Sequence, residues 1–463
     1  MLLKSKLEKI KKSLATDNVL ANLEERYCYS TDASNNKNEL EIPDLVVFVE
    51  TVDDVQKVLK YANKYKIPII PRGAGTNMVG SCACNSGGII LNFSKMNKIL
   101  DINVENMYVK VQPGVVLADL KESVKQFNFF FPPDPSNYKV STIGGGIAQS
   151  SGGALSFKYG TIKDYIISLT VVTAEGKLLK LGTDTTKSTM GYHLNQLIVG
   201  SEGTLAVVVE ATLRLIPKPE AVSLLVAGFA NMNELLELVN KILSANLFPA
   251  TIDFMDKKSI LVSENYLKTN LNIEANYILI VQFDGDLKIL QAQKDKINSI
   301  SSTTKNVFYK YYNNEADIQQ MWEFRRVSYA ATTRLAPDVI SDDIIVPRSR
   351  IVEMVNTIEN IVEKYKLKMC LVGHIGDGNL HPQIALNLDK EDEFRNYVSA
   401  KSEIYNKAIE LGGCISAEHG IGLDKLEYLP NILSEEVLNY MRMIKQIFDP
   451  NNILNPGKIF KKM

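Results

Sequence analysis

Pro71-Arg72-Gly73-Ala74-Gly75-Thr76-Asn77 follows directly on the apolar run Ile67-Pro68-Ile69-Ile70, and its reading decides the first half of the chain. Glycine permits positive φ and close backbone approach, so successive N–H groups in such a loop can point into one concavity and hold a pyrophosphate. The spacing differs from G-x-G-x-x-G, because Thr76 and Asn77 stand where a helix should start and no acidic residue closes a second strand. A nicotinamide-binding Rossmann unit is therefore disfavoured. Just upstream, Leu45–Val49 reads as a strand, and Thr51 with Asp54 forms a capping box that opens a helix to about Lys66. The loop thus ends a strand–helix–strand unit.

Further out, residues 1–26 carry Leu3, Leu7, Ile10 and Leu14 at helical spacing, which predicts a helix that packs on the body or on another chain. Downstream of the loop come short β-rich runs punctuated by Gly and Pro, with a helix near Leu117–Phe127. After Pro217-Lys218-Pro219 the texture changes to strands and helices of antiparallel-compatible length, as in a split β-α-β or ferredoxin-like sheet. A helix then runs up to Asp449-Pro450, followed by a Pro/Gly loop. These shifts divide the chain into residues 1–37, 38–217, 218–420 and 421–463.

The formal net charge of −1 offers no basic field to hold a polyanion, so nucleic acid is an unexpected partner. Five cysteines (Cys28, Cys82, Cys84, Cys370, Cys414) without C-x-x-C spacing suggest neither a disulfide framework nor a thiolate zinc site. No run of 18 apolar residues occurs, and the charged N-terminus is unlike a signal peptide. The expectation is a cytoplasmic protein without a transmembrane segment.

A second glycine-rich stretch comprises Pro132-Pro133-Asp134-Pro135-Ser136, Ser141-Thr142-Ile143-Gly144-Gly145-Gly146, Gly152-Gly153 and Tyr159-Gly160, followed by Gly200-Ser201-Glu202-Gly203-Thr204. The order P-R-G-x-G-T-N, D-P-S, S-T-I-G-G and G-S-E-G-T-L resembles the FAD-binding domain of the vanillyl-alcohol oxidase superfamily over roughly residues 38–217. That resemblance implies an α+β fold: a two-subdomain FAD-binding domain of the PCMH type, followed by a ferredoxin-like antiparallel-sheet substrate or cap domain. It implies FAD contacts from Pro71 through Asn77, and from Gly80, Pro135, Ser141, Thr142, Gly144, Gly145, Ala148, Gly152, Tyr159, Gly203, Val208 and Asn455. Thr76 stands where some members attach the flavin through histidine, so non-covalent FAD is expected.

Only four histidines occur, and His374, His381 and His419 fall in two loop motifs, Gly373-His374-Ile375-Gly376-Asp377-Gly378-Asn379-Leu380-His381 and Glu418-His419-Gly420-Ile421-Gly422. Two imidazoles and one carboxylate suit a borderline divalent metal with positions left open for substrate. His193 has no acidic or histidine neighbour in sequence and reads as structural. Both motifs are similar to those of FAD-linked D-2-hydroxy-acid dehydrogenases, the family of the glycolate oxidase flavin subunit and D-lactate dehydrogenases. The ending Asn455-Pro456-Gly457-Lys458 matches too.

This resemblance implies His374, His381 and Glu418 as ligands of Zn, Fe or Mn, His419 as general base, and Arg325 as the clamp on the substrate carboxylate. It implies oxidation of a short D-2-hydroxy acid, D-lactate or glycolate, with hydride passing to the flavin. Electrons would leave to an electron-transfer flavoprotein or an iron–sulfur subunit. Gln383 stands where some relatives have Asn, and Ser341 where the hydroxyglutarate enzymes have Lys, which favours a monocarboxylate. The alternatives are an alkyl-transferring flavoprotein of the ether-lipid synthase type and a non-catalytic flavin subunit of an oxidase complex.

Overall fold

The strand–helix–strand unit forms as its pattern predicts. Thr51 and Asp54 exchange side-chain and backbone hydrogen bonds of 3.1 and 3.0 Å, and the helix Val52–Tyr65 buries Val55, Val58, Leu59 and Ala62 along one face. This is a computed structural model, and it describes residues 9–11, 16–35, 40–269, 271 and 273–461. Strands β1 (Val19–Leu20), β2 (Leu45–Phe48), β3 (Ile69–Arg72) and β4 (Ile89–Asn92) form the first sheet in the order β1-β2-β4-β3, with β2 and β3 both parallel to β4. Because both faces of this small sheet are covered, its central strands read as unbroken apolar runs.

The single helix expected over residues 1–26 does not extend across 16–26. Thr16–Asn18 is a 3-10 turn, Val19 and Leu20 pair antiparallel with Val47 and Val46, and only Leu23–Tyr27 is helical. The helical spacing ends at Leu14, and beyond it the open edge of β2 supplies backbone partners whose pairing buries Val19. Ile10 is buried in the same core, whereas Leu3, Leu7 and Leu14 lie outside the described residues.

The second sheet is antiparallel. It contains β5 (Ile99–Asn103), β6 (Tyr108–Val111), β8 (Ile166–Thr173), β9 (Leu178–Gly182) and β10 (Ala206–Arg214) in the order β5-β6-β10-β8-β9, and a small pair joins β7 (Phe129–Phe130) to β11 (Ile216–Pro217). The cleft described below lies along loops from both sheets.

The C-terminal half is one antiparallel sheet of eight strands. Its members are β12 (Ala221–Phe229), β13 (Thr251–Asp256), β14 (Tyr277–Gly285), β15 (Phe308–Tyr312), β16 (Asp338–Ser341), β17 (Ile344–Ile345), β18 (Lys368–His374) and β19 (Asn379–Leu386). The order β15-β12-β14-β13 is the ferredoxin-like arrangement, and the β13–β18 pairing continues it into β18-β19-β16. Helices Met232–Ser244, Ile351–Lys364 and Glu391–Glu410 cover it through a core that includes Leu235, Leu238, Ile358 and Ile404. Among the described residues no helix is long and apolar enough to cross a membrane.

The C-terminal segment returns to the first sheet. Ile69 donates to the Ile453 carbonyl at 2.8 Å and Asn455 donates to the Ile69 carbonyl at 2.7 Å, so the segment braces the strand that feeds the Pro71–Asn77 loop.

Candidate active site

A cleft lined by loops of both sheets of the first half also has Glu418 and His419 in its lining. Pro71 through Asn77, Pro135, Ser141, Thr142, Gly144, Gly145, Ala148, Gly152, Gly203 and Val208 all line it. Gly80, Tyr159 and Asn455 do not stand among the lining residues. Tyr159 instead donates its hydroxyl to Asp284 at 2.8 Å, and the Asn455 amide is spent on the carbonyls of Ser81 and Glu202 at 2.7 Å each. Ser81, Gln149 and Glu202 line the cleft without having been singled out, because their motifs draw attention to the glycines.

The donor and acceptor chemistry of this cleft fits a dinucleotide. Ser141 Oγ and Gln149 Oε1 are buried without a partner, polar groups that a bound ligand can satisfy. A Cβ at Gly75, where φ is +75°, would run into the Arg72 guanidinium, so only glycine lets the backbone stand this close to the cleft floor.

The histidine centre grows from sheet register. In the β18–β19 hairpin His381 pairs with Val372, two residues before His374, so both imidazoles emerge on one face as diagonal neighbours with ring centroids 5.3 Å apart. The turn Ile375–Gly378 explains how two ligands seven positions apart meet. Asp253 of β13 pairs directly with His374 across the next seam, and its Oδ1 accepts the His374 Nδ1 hydrogen at 2.8 Å. That bond turns His374 Nε2 toward Glu418 Oε1, 3.5 Å away. Two metal ligands at about 2.1 Å in tetrahedral geometry stand about 3.4 Å apart, and the ligand atoms of His374, His381 and Glu418 all lie within 4.8 Å of one another. The donor set and its spacing fit a divalent cation.

Asp253 also pairs with Arg325, its Oδ2 lying 3.0 Å from Nε. Arg325 is 11% exposed, so it is no free surface cation. Asp343, in the Asp342-Asp343 pair between β16 and β17, accepts backbone N–H groups from Ala417, Glu418 and His419 at 2.9, 2.8 and 2.9 Å. Its Oδ1 has no hydrogen-bond partner and stands 3.9 Å from His381 Nδ1. The His419 ring stacks on His381 with centroids 5.5 Å apart, and its Nδ1 is buried without a partner. His193 is exposed and stands apart from the cluster.

Electrostatics follow from this packing. Burial pulls His374 down, but the carboxylates of Asp253 and Glu418 outweigh it and raise its pKa to about 9. Burial lifts the Glu418 carboxyl to about 7, against the pull of His374 and with the nearby charge of Asp343. Burial lowers His419 below the ordinary imidazole value, Asp343 opposing, and so favours the neutral base. Asp343 itself is held well below the carboxylate range, burial being outweighed by His419, Lys425 and His381.

The positions noted as departures, Ser341 and Gln383, are direct partners across β16 and β19. Gln383 Oε1 accepts the hydroxyls of Ser328 and Thr332 at 3.2 and 3.0 Å.

Comparison with known proteins finds two family matches along the chain. Residues 43–182 match the FAD binding domain and residues 218–459 the C-terminal domain of FAD linked oxidases. The chain is 40% identical to glycolate oxidase subunit GlcD of Bacillus subtilis, covering 94% of this chain and 93% of that protein. It is 33% identical to D-lactate dehydrogenase of Anaerostipes hadrus, covering 91% and 90%. Among solved structures, p-cresol methylhydroxylase shares the fold with a TM-score of 0.83, 16% identity and coverage of 99% and 97%.

Proposed function

The chain belongs to the family of FAD-linked hydroxy-acid oxidases and dehydrogenases, and from that premise we propose that it oxidises a short D-2-hydroxy acid, D-lactate foremost and glycolate next, to the 2-keto acid. The observation that carries this reading is the convergence of His374, His381, Glu418 and His419 at the FAD cleft. The motifs Gly373–His381 and Glu418–Gly422 that carry this centre favour this reading over an alkyl-transferring or a non-catalytic flavoprotein.

The 71–77 and 141–146 loops would hold FAD, which would supply the acceptor for the pair of electrons that leaves C2. His374, His381 and Glu418 would hold a divalent ion, which would supply Lewis acidity that lowers the pKa of a substrate hydroxyl. The protein's own residues do the rest. The terminal nitrogens of Arg325 are suited to a carboxylate, with Asp253 fixing the guanidinium from behind. His419, neutral at working pH, takes the hydroxyl proton. Asp253 and Asp343 hold a metal ligand and the base loop respectively, the outer partners that fix ring orientation and loop position. Ser341 and Gln383 add no cation for a second substrate carboxylate, which supports a monocarboxylate. The reduced flavin would pass its electrons to an external protein, an electron-transfer flavoprotein or an iron–sulfur subunit.

Anaerobic mixing with D-lactate, glycolate, D-2-hydroxyglutarate and their L-isomers tests the reading. Bleaching of the flavin's visible band by the D-monocarboxylates is expected. Bleaching by D-2-hydroxyglutarate alone, or by none, would overturn it.

A further inference from the structure

The loop Ser416–Gly422 carries Glu418 and His419 and contains no helix or strand, yet every backbone N–H from Ala417 to Gly422 is taken by a side chain. Asp343 holds Ala417, Glu418 and His419, and Ser416 Oγ accepts from Gly420 at 3.0 Å. The remaining two N–H groups, of Ile421 and Gly422, are accepted by a residue of the other half of the molecule. Glu202 Oε1 accepts from Ile421 at 2.7 Å, and Oε2 accepts from Gly422 at 2.9 Å and from the Ser81 hydroxyl at 2.6 Å. The same seam is stitched by Asn77, which donates to the His419 carbonyl at 3.2 Å, and by Val79, whose carbonyl accepts from Leu423 and Asp424 at 2.8 and 3.1 Å.

Glu202 stands where a glutamate is unfavourable. Its φ is +51°, between Gly200 at +74° and Gly203 at +69°. A non-glycine residue persists in that region only where its surroundings over-determine it, and such positions concentrate at functional sites. Here the backbone is fixed by the Ala148 carbonyl at 2.8 Å and by Asn455 at 2.7 Å, and the side chain, 5% exposed, lies along the cleft wall with both oxygens engaged on the loop.

We infer that Glu202 is a positioning residue that locks the loop bearing the base and the metal carboxylate to the wall of the FAD cleft, so that cofactor and proton acceptor keep one register. This rests on the reading of His419 as base and Glu418 as ligand. Glu202 is absent from the chemistry itself. Its effect passes through the backbone of the loop.

Glu202→Gly is the informative variant, because glycine adopts this φ without strain and the loop loses two acceptors while the FAD-binding fold is spared. Glu202→Gln keeps the length but turns one acceptor into a donor facing Gly422 or Ser81. In the FAD-loaded full chain, Glu202→Gly is expected to speed amide hydrogen exchange across residues 417–424 at least about tenfold. It should lower kcat by about 10–100-fold, with KM for the hydroxy acid within about threefold, as misplacement of a catalytic group predicts. Melting temperature should fall, because two loop N–H groups and the Ser81 hydroxyl lose their acceptor, while FAD content per folded protein stays near that of the parent, and Glu202→Gln should recover part of the exchange and kcat losses. Unchanged exchange in the loop, or a loss of kcat that merely tracks loss of FAD or of folded protein, overturns the inference. A parent protein whose flavin no hydroxy acid bleaches would sink the proposed reaction, and the exchange measurement would still decide the role of Glu202.

Discussion

The two halves of the histidine centre are held by different means. His374 and His381 stand on the β18–β19 hairpin, where paired backbone fixes their register. Glu418 and His419 stand on a loop without secondary structure, fixed by side-chain carboxylates that accept its N–H groups. The hairpin side is specified locally, by strands and a four-residue turn. The loop side is specified at long range, by Asp343 and Glu202. A site built this way should fail differently on its two sides.

The largest effect is expected at the loop's end. His419→Ala should leave a folded, yellow protein whose kcat is about 10²–10⁴-fold lower, the range for a general base; near-normal turnover would remove His419 from the mechanism. The parent should show the matching pH dependence. With His419 held below the ordinary value of about 6.5, the neutral base is present at and above that pH, and kcat/KM should fall only as pH drops through the lowered pKa. A profile that rises through pH 7 to 8 would contradict this.

Next in size is Asp343→Ala, which leaves three loop N–H groups without their acceptor and strips the counter-charge from Lys425, 3.8 Å away. Denaturant unfolding should show a loss of about 3–5 kcal/mol, the cost of breaking a buried pair. Less than about 1 kcal/mol would mean the loop does not depend on its carboxylate. On the hairpin side, Asp253→Asn should weaken metal binding about 10–100-fold, read by competition with a chelator, and should raise KM as well through Arg325. An effect on metal alone would separate the two roles of Asp253. Also on the hairpin side, Gly378→Ala drives a Cβ into the Val346 carbonyl oxygen at φ +87°, so the turn backbone must shift. The left-handed backbone alone costs about 1–2 kcal/mol and the clash adds to it, so thermal unfolding should show at least that loss, and a smaller loss would contradict the turn geometry.

The same contrast governs how much was legible in the sequence. Gly75, Thr142 and the Thr51–Asp54 box announce themselves, because each does its work within a few residues of its neighbours. His374, His381 and Glu418 were legible as a donor set through their motifs. Asp253 was not, since Thr251–Asp256 reads as a plain strand and only the pairing of β13 with β18 sets it opposite His374. Asp343 and Glu202 act on backbone far along the chain, and no local pattern records a hydrogen bond across a separation of 219 residues. Residues 16–26 illustrate the reverse error: the helix drawn to residue 26 outran its helical spacing, which ends at Leu14, and Val19 and Leu20 pair with β2 instead. The continuation of the ferredoxin-like sheet into eight strands was likewise a matter of one seam between β13 and β18.

The central claim is that one centre joins a metal held by His374, His381 and Glu418 to the FAD cleft through His419. Anaerobic flavin bleaching by D-lactate, followed before chelation, after chelation and after adding back Zn²⁺, Mn²⁺ or Fe²⁺, tests it most directly. The account predicts that the chelated protein stays yellow but bleaches at least about 10²-fold more slowly, with at least one metal restoring the rate. Equal rates in protein shown by elemental analysis to be metal-free would contradict it.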